Sequence, residues 1–547
     1  MDISSLQWTL ASLAPATLML LAALVALASH TGERQAWRTF LGLSSLALAA
    51  TVALALVHAS GRAPAPAHPA LSQALVYPAL LGSLMAVLVQ LLGTVIGGFS
   101  ARYLQGEGGQ PRYISALSAV LACVHLLLMA NHWVLLIGAW AGVGQALQRL
   151  LCFYPERPFA QLAAHKKQIA DRAADLLLLT AAALAWSAVG SGSFTALWAH
   201  LDQHGTSTAL QASAVALVLA VVLRTALLPV HGWLIQVMEA PTPVSALLHA
   251  GVINLGGFVL IRLAPLLEQA APARTLLVVL GLGTAVLAGM VMLTRISIKV
   301  RLAWSTVAQM GFMLMQCGLG LYTLAALHLV GHSLYKAHAF LSAASVVRET
   351  RLQALRGHWQ PAPTSLLLAP GVTLGLVAGL QSFSPQAPWP LWWSVVLGLA
   401  WAPLLWLPGR TPTVQGVKLV PASARLAQAA MGLMLITGLT AGALLAHALP
   451  LGTNDTPHHG LGVLAAAGMS VLYSCLALLQ VRPQTLTRWR RWSYAGFYVD
   501  EAYTRLALRL WPGSWAADAH PRPATPPAAN TPAATTAQAA ALASPLN

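Results

Sequence analysis

The stretch ALHLVGHSLYKAHAFLSAASVV, residues 326–347, lies inside a long apolar run and yet carries three histidines and a lysine. His328, His332 and Lys336 are spaced four and four apart. At about 100° per residue they drift only some 80° around a helix and make one polar stripe, while His338 points to the other side. What surrounds the stripe decides the fold. Of 547 residues, 57% are hydrophobic and 8% charged, whereas about a quarter of the residues in soluble domains are charged. The chain reads as a polytopic membrane protein.

A helix that crosses a bilayer needs roughly 20 apolar residues. Fifteen runs meet that need: 6–29, 39–58, 71–99, 113–130, 133–150, 173–190, 209–228, 243–263, 275–293, 302–320, 323–347, 363–381, 391–408, 426–446 and 461–481. They are too long and too uniformly apolar for the alternation of a lipid-facing barrel. The expected fold is therefore all-α, with about 13–15 transmembrane helices that satisfy their own backbone polar groups in lipid. Residues 1–70 hold the first spans, 71–350 a core, and 351–511 the last spans and an amphipathic end; 512–547, rich in Pro, Ala and Thr, is an expected disordered tail.

The formal charge of +16 would suggest nucleic acid in a soluble protein, but its distribution gives a different answer. With the N-terminus outside, basic residues from Arg34 and Arg38 through Arg149, Lys166, Lys167 and Lys299 to Arg491 share one side, and only Arg62, Arg262 and Arg274 fall on the other. This is the positive-inside pattern, so the basicity reads as topology, with the C-terminus in the cytoplasm and no nucleic-acid partner. The start MDISSLQWTL lacks the basic opening of a secretory signal. Cys123, Cys152, Cys317 and Cys475 have no paired spacing and read as buried small hydrophobes. His458 and His459 form an isolated pair without further metal ligands.

Arg224 and Lys336 are the cations left inside spans once the loop residues are set aside. At the bilayer centre each costs about 2.5–3.5 kcal/mol on insertion scales, so each should face a partner or water. Histidine titrates near neutral pH, and a lysine in apolar surroundings releases its proton more readily than one in water, so the stripe can hand protons along where water completes the gaps. The alternative is a set of structural hydrogen bonds to carbonyls or neighbouring helices. A second polar locus is VVLRTALLPVHGWLIQVMEAPTPVSALLHAG, residues 221–251. Pro229 breaks a helix just after Arg224, and Ser245 and His249 lie one turn apart on the helix that begins at PTP. Glu239 and Asp175 are the carboxylates nearest the core; each also fits an interfacial ion pair or a helix-start acid.

PTPVSALLHAG (241–251), SIKVRLAWSTVAQMGFM (297–313), HLVGHSLYKAHAFLSAASV (328–346) and FSARYLQGEGGQPRY (99–113) resemble the antiporter-type subunits shared by respiratory complex I, subunit L above all, and the Mrp cation/proton antiporters. FYVDEAYTRL (497–506) resembles a segment near the end of that family's membrane core. The resemblance implies two inverted five-helix repeats, each with a broken helix and a central lysine. It also implies that Lys299, His328, His332 and Lys336 match proton-path positions of the second repeat, and His249 and Asp175 positions of the first. Three departures stand beside it. WAGVG places Ala141 where the family has a glutamate, and Arg224 stands in place of lysine. Arginine does not give up its proton, so a glutamate–lysine switch is excluded there. Beyond residue 350 the late lysine segment is missing, as is the long amphipathic helix that ties complex I subunits together.

These departures fit one member group, DabB, the membrane subunits of DAB inorganic-carbon accumulation systems. The resemblance implies a large soluble zinc partner on the cytoplasmic side, DabA, related to β-carbonic anhydrases, and ion flow through this chain that drives conversion of CO2 to bicarbonate. This chain is expected to be a transporter subunit of the inner membrane, not an enzyme, with no cofactor of its own: it carries no Cys/His/Cys zinc set, glycine-rich dinucleotide loop, iron–sulfur run or haem motif. The alternatives are an antiporter-like subunit of a respiratory or Mrp complex and a non-conducting scaffold. In the expected path, protons enter from outside, pass between Lys336 and the histidines, and leave near Lys299 or Asp175. Arg224 acts as a fixed charge, and the basic loops at 149–172 and 348–361 dock the partner.

Overall fold

In the computed structural model, the described residues are 3–28, 32–61, 75–77, 79–343, 360–383, 389–413, 416–419, 421–449, 451–482, 484 and 487–512. The chain is helical along almost all of this length. In chain order the helices are α1 (Ile3–Ala28), α2 (Glu33–Ala59), α3 (Leu80–Tyr103), α4 (Gln110–Leu128), α5 (Trp133–Leu151), α6 (Pro158–Val189), α7 (Phe194–His204), α8 (Thr208–Arg224), α9 (Gly232–Gln236), α10 (Thr242–Ala250) and α11 (Leu255–Arg262). They continue as α12 (Ala264–Glu268), α13 (Ala271–Leu293), α14 (Ile298–Leu319), α15 (Tyr322–Leu341), α16 (Pro363–Gln381), α17 (Leu391–Trp401), α18 (Ala422–His447), α19 (His459–Val481), α20 (Thr487–Tyr494) and α21 (Val499–Leu510).

Each apolar run named from the sequence overlaps at least one helix, though 243–263 is broken at 250–254 and 391–408 is helical only to Leu405. Among the described residues eleven helices are long and apolar enough to cross a membrane, and α8 and the segment Leu391–Leu405 are shorter apolar ones. The helices α14 and α15, of 22 and 20 residues, have the length but carry more polar side chains. The protein is a multi-span, all-α membrane protein. Strands were not expected, yet a small antiparallel sheet pairs Gln360 with Arg410 and Arg410 with Leu419. The tail from 513 and residues 348–359 of the docking loop expected at 348–361 lie outside the described residues.

One sequence expectation is corrected. Residues 149–172 are not an open loop: Pro158 opens α6, a helix of 32 residues. Proline suits a first helical position because its missing N–H has no partner there anyway. At 1.5 Å per residue α6 is about 48 Å long, more than the roughly 30 Å of hydrocarbon it must cross. Its amphipathic first half escaped a search for apolar runs. Lys166 and Lys167 therefore lie buried in helix–helix contacts, not on a free basic surface.

Breaks in the helices fall beside the polar groups. After Arg224 the chain leaves the helix, Ala226 takes φ 53°, and helix resumes only at Gly232. A left-handed alanine costs about 1–2 kcal/mol, so surrounding packing must impose it. A second break follows Ala250, where a short 3-10 turn, Val252–Asn254, precedes α11. The large apolar core spans α1 to α15, and a smaller one built on Trp389, Trp392, Trp393 and Tyr473 joins α13–α19.

The C-terminal α21 is held against this body by charge. Asp500 Oδ1 accepts from Lys166 Nζ at 2.5 Å, Thr504 Oγ1 accepts from the same ammonium at 2.8 Å, and Gln236 Nε2 donates to Asp500 Oδ2 at 3.4 Å. Gly232 is required here, since a Cβ at that position would stand 1.3 Å from Asp500 Oδ1. Gly232→Ala is expected to unseat α21 and leave Lys166 without its carboxylate. Limited proteolysis in inverted vesicles should then cut the chain after Arg491 faster than in wild type; equal rates would mean α21 is held by other contacts.

Candidate functional site

The ionisable residues picked out from the sequence fall into two groups. The first joins α6, α8 and α5. The Arg224 guanidinium pairs with Asp175, lies 3.9 Å from Asp171 and donates to the Trp140 carbonyl at 2.8 Å. Asp171 also pairs with Lys167, and the Arg224 guanidinium sits over the Trp140 ring at 5.2 Å. Gly144 makes the room, because a Cβ there would meet Asp171 Oδ2 at 2.8 Å. Two cations thus face two carboxylates. Both carboxylates come from α6, and Asp175 forms the ion pair that was one of the roles its sequence position allowed.

The second group sits where α10, α14 and α15 meet. Lys336 Nζ donates to the Leu302 carbonyl at 2.9 Å and to Ser305 Oγ. His328 Nδ1 lies 2.8 Å from Gln316 Oε1, and the His328 and His332 rings are 6.1 Å apart. His249, from α10, stacks on Phe340 at 4.6 Å and 16°. Phe340 is one turn beyond Lys336 on α15, so α10 extends the stripe. His338 is exposed, as its place on the helix required. Lys299 Nζ donates to Thr242 Oγ1 at 2.9 Å. Arg157 donates to the carbonyl of Glu239 at 2.7 Å, and among the described residues the Glu239 carboxylate has no ion-pair partner.

His249 and His332 differ from the rest. Both are buried, and neither ring nitrogen of either finds a protein partner among the described residues. A neutral imidazole has one donor and one acceptor, and leaving such a group unsatisfied costs about 1–3 kcal/mol, so ordered water is the usual remedy. A void of about 20 Å³, bordered by Asn254, Ser333 and Leu329, lies between α3, α11 and α15. It is large enough for one water, which needs roughly 10–15 Å³. Asn254 Nδ2 donates to Ser333 Oγ at 2.8 Å, while its Oδ1 has no partner among the described residues.

Five participants were not singled out from the sequence. Lys167 and Asp171 belong to the Arg224 cluster, and Lys166 with Asp500 ties α21 to α6. His231 is buried with its ring 4.8 Å from the Trp304 ring. The sequence signal available was the i,i+4 spacing of Lys167 and Asp171. Nothing local marks the Lys166–Asp500 pair, whose members are 334 residues apart. His458 is a helix cap, its Nδ1 accepting from Leu461 N at 3.3 Å.

Residues 130–383 match the family of NADH:quinone oxidoreductase/Mrp antiporter transmembrane subunits. In fold, the chain is similar to the Mrp complex from a Dietzia species, with a TM-score of 0.58 at 22% identity over 91% of this chain and 60% of that one. Subunit L of the Mycobacterium tuberculosis NADH-quinone oxidoreductase is 32% identical over 49% of this chain and 42% of its own length. A protein of Halothiobacillus neapolitanus named "Probable inorganic carbon transporter subunit DabB2" is 38% identical over 78% of this chain and 79% of its own. The DabB protein of Hydrogenovibrio crunogenus, named in the same terms, is 36% identical over 93% of this chain and 96% of its own. With a relative matched over 93% of this chain and 96% of its own length, the chain belongs to the DabB family of inorganic-carbon transporter subunits, within the antiporter-like membrane proteins.

Proposed function

We propose that this chain is the proton-conducting membrane subunit of an inorganic-carbon accumulation complex, and that protons pass through its second half alone. The observation that carries the reading is the pair of buried imidazoles, His249 and His332, whose ring nitrogens have no hydrogen-bond partner among the described residues, on either side of Lys336. α15 runs from the face of the protein poor in basic residues to the face rich in them, so the stripe descends His328, His332, Lys336 in that order. Lys336 delivers to Ser305 Oγ, which is six residues, about 9 Å of helix rise, from Lys299 at the basic face. Lys299 and Thr242 form the exit.

Arg224, Asp171, Asp175 and Lys167 do not carry protons on this reading. An arginine held between carboxylates stays charged, and its cluster closes the first half as a neutral, hydrogen-bonded plug. This replaces the exit near Asp175 expected from the sequence. Glu239 lies at the mouth beside the exit, where its free carboxylate collects cations.

The protein is read as an inner-membrane component with its N-terminus outside and its C-terminus in the cytoplasm, a reading that the asymmetry of Lys and Arg supports. Its partner is a soluble, zinc-containing subunit related to β-carbonic anhydrases, and proton flow inward is coupled to making bicarbonate in the cytoplasm. Similarity over 96% of a DabB protein, against 42% of subunit L, favours this over a respiratory complex. The test is purification from cells that co-express the neighbouring genes. One large zinc protein in fixed ratio is the expected result. Recovery of many membrane subunits with bound flavin would overturn it.

A further inference from the structure

Beyond the stripe, α15 has an unusual cap. Its first turn meets the segment 453–458, which joins α18 to α19 on the face poor in basic residues. Two backbone bonds dock that segment: Thr456 N donates to the Gly320 carbonyl at 2.8 Å and His458 N to the Leu319 carbonyl at 2.9 Å. Gly320, with φ +77°, permits the approach, because a Cβ there would stand 2.1 Å from the Thr456 carbonyl oxygen. Arg274 reinforces it by donating to the Gly318 carbonyl and to the Thr456 carbonyl, each at 3.0 Å. The segment is thereby fixed over the end of the helix that carries His328, His332 and Lys336.

The docking positions one acid. Asp455 Oδ1 accepts from Thr323 N at 2.7 Å, its Oδ2 lies 3.8 Å from His447 Nε2, and its side chain is 13% exposed. Thr323 and Thr453 hydroxyls meet at 2.9 Å beside it. The Tyr322 ring is fully buried and its hydroxyl has no protein partner among the described residues, yet it lies within charge reach of Arg274, Glu268, Cys317 and Asp455. The charged and titratable groups around Asp455 are therefore His447 from α18, Glu268 from α12, Arg274 from α13, Cys317 from α14 and Tyr322 from α15. His328 is five residues past Thr323, about 7.5 Å along the helix, and is itself bonded to Gln316 of α14.

Resting on the conduction reading above, we infer that Asp455 and His447 are the outer proton-admission pair, which loads the stripe through the Tyr322 hydroxyl and a short run of water ending at His328. The Asp455 carboxylate takes H+ from outer water and, with the Tyr322 hydroxyl accepting one proton as it passes on another, delivers it to the neutral His328 ring. His328 becomes imidazolium and the carboxylate is restored. Burial holds the Asp455 carboxyl above the usual carboxylate range, opposed by the Thr323 N–H and by His447, and burial raises Glu268 as well. A carboxyl shifted this way is protonated closer to neutral pH, as a loading group must be.

Asp455→Asn separates loading from capping, since the amide oxygen still accepts from Thr323 N but cannot titrate. The full chain with its co-purified partner is placed in proteoliposomes, and proton influx is followed after an acid jump at a series of outer pH values, with Lys336→Met as reference. The expected result is influx slowed roughly tenfold, with a flattened outer-pH profile that Asp455→Glu restores. Wild-type rate and profile in Asp455→Asn, with Lys336→Met inactive, would overturn the inference and leave Asp455 as a cap. Unchanged influx in Lys336→Met would instead overturn the conduction reading, and this inference with it. Should Asp455→Asn fail to assemble, His447→Gln leaves the cap untouched and carries the same test.

Discussion

Cells carrying Lys336→Ala are expected to lose gradient-driven bicarbonate accumulation, by roughly 10²-fold, the low end of what a positioned proton-transfer group contributes. The complex itself should survive. The ammonium is held by the Leu302 carbonyl and Ser305 Oγ. Ser305 Oγ already donates to the same carbonyl at 2.8 Å, so removing the lysine strands neither group. Lys336→Met, which keeps most of the volume, should act alike and answers the objection that Ala leaves a cavity. Recovery of the partner subunit at wild-type yield checks assembly. Carbon accumulation at the wild-type level would mean that the chain is a scaffold.

Arg224→Ala should behave in the opposite way, as a failure of folding. The guanidinium is 3% exposed and answers Asp175 and Asp171 together. Taking it away leaves Lys167 as the one cation of the cluster facing two carboxylates. Breaking one partner of a buried pair costs about 3–5 kcal/mol because the other charge is left uncompensated. Denaturant titration in detergent should register that loss, and Arg224→Ala combined with Asp175→Asn should recover much of it. Arg224→Lys should recover only part, because an ammonium cannot reach Asp175 and the Trp140 carbonyl with the same planar fork. A stable, fully assembled Arg224→Ala protein would show that the cluster is not the plug described here.

Legibility from the sequence followed a physical divide. The spans were readable because lipid demands length and apolarity, both local properties. The stripe of His328, His332 and Lys336 was readable because four-residue spacing fixes a helix face whatever surrounds it. What Arg224 pairs with was half visible: Asp175 was expected on the proton path, with an ion pair as the alternative, and Asp171 and Lys167 were hidden in a charged segment read as a loop. The helix there is stabilised by packing against α8 and α9, which no local pattern reports. Asp500 and Asp455 were the hardest, since each acts on residues more than 130 positions away. A lone acid in a loop reads as solvated until the fold lays it on a helix end.

The central claim is that a side chain at Lys336 must both hold and release a proton. Its most direct test is proton flux under an imposed pH gradient in vesicles holding the complex with Lys336→Arg, a substitution that keeps the charge and nearly the length. Arginine cannot release its proton, so the account predicts flux as low as in Lys336→Ala. Flux at the wild-type rate would contradict it.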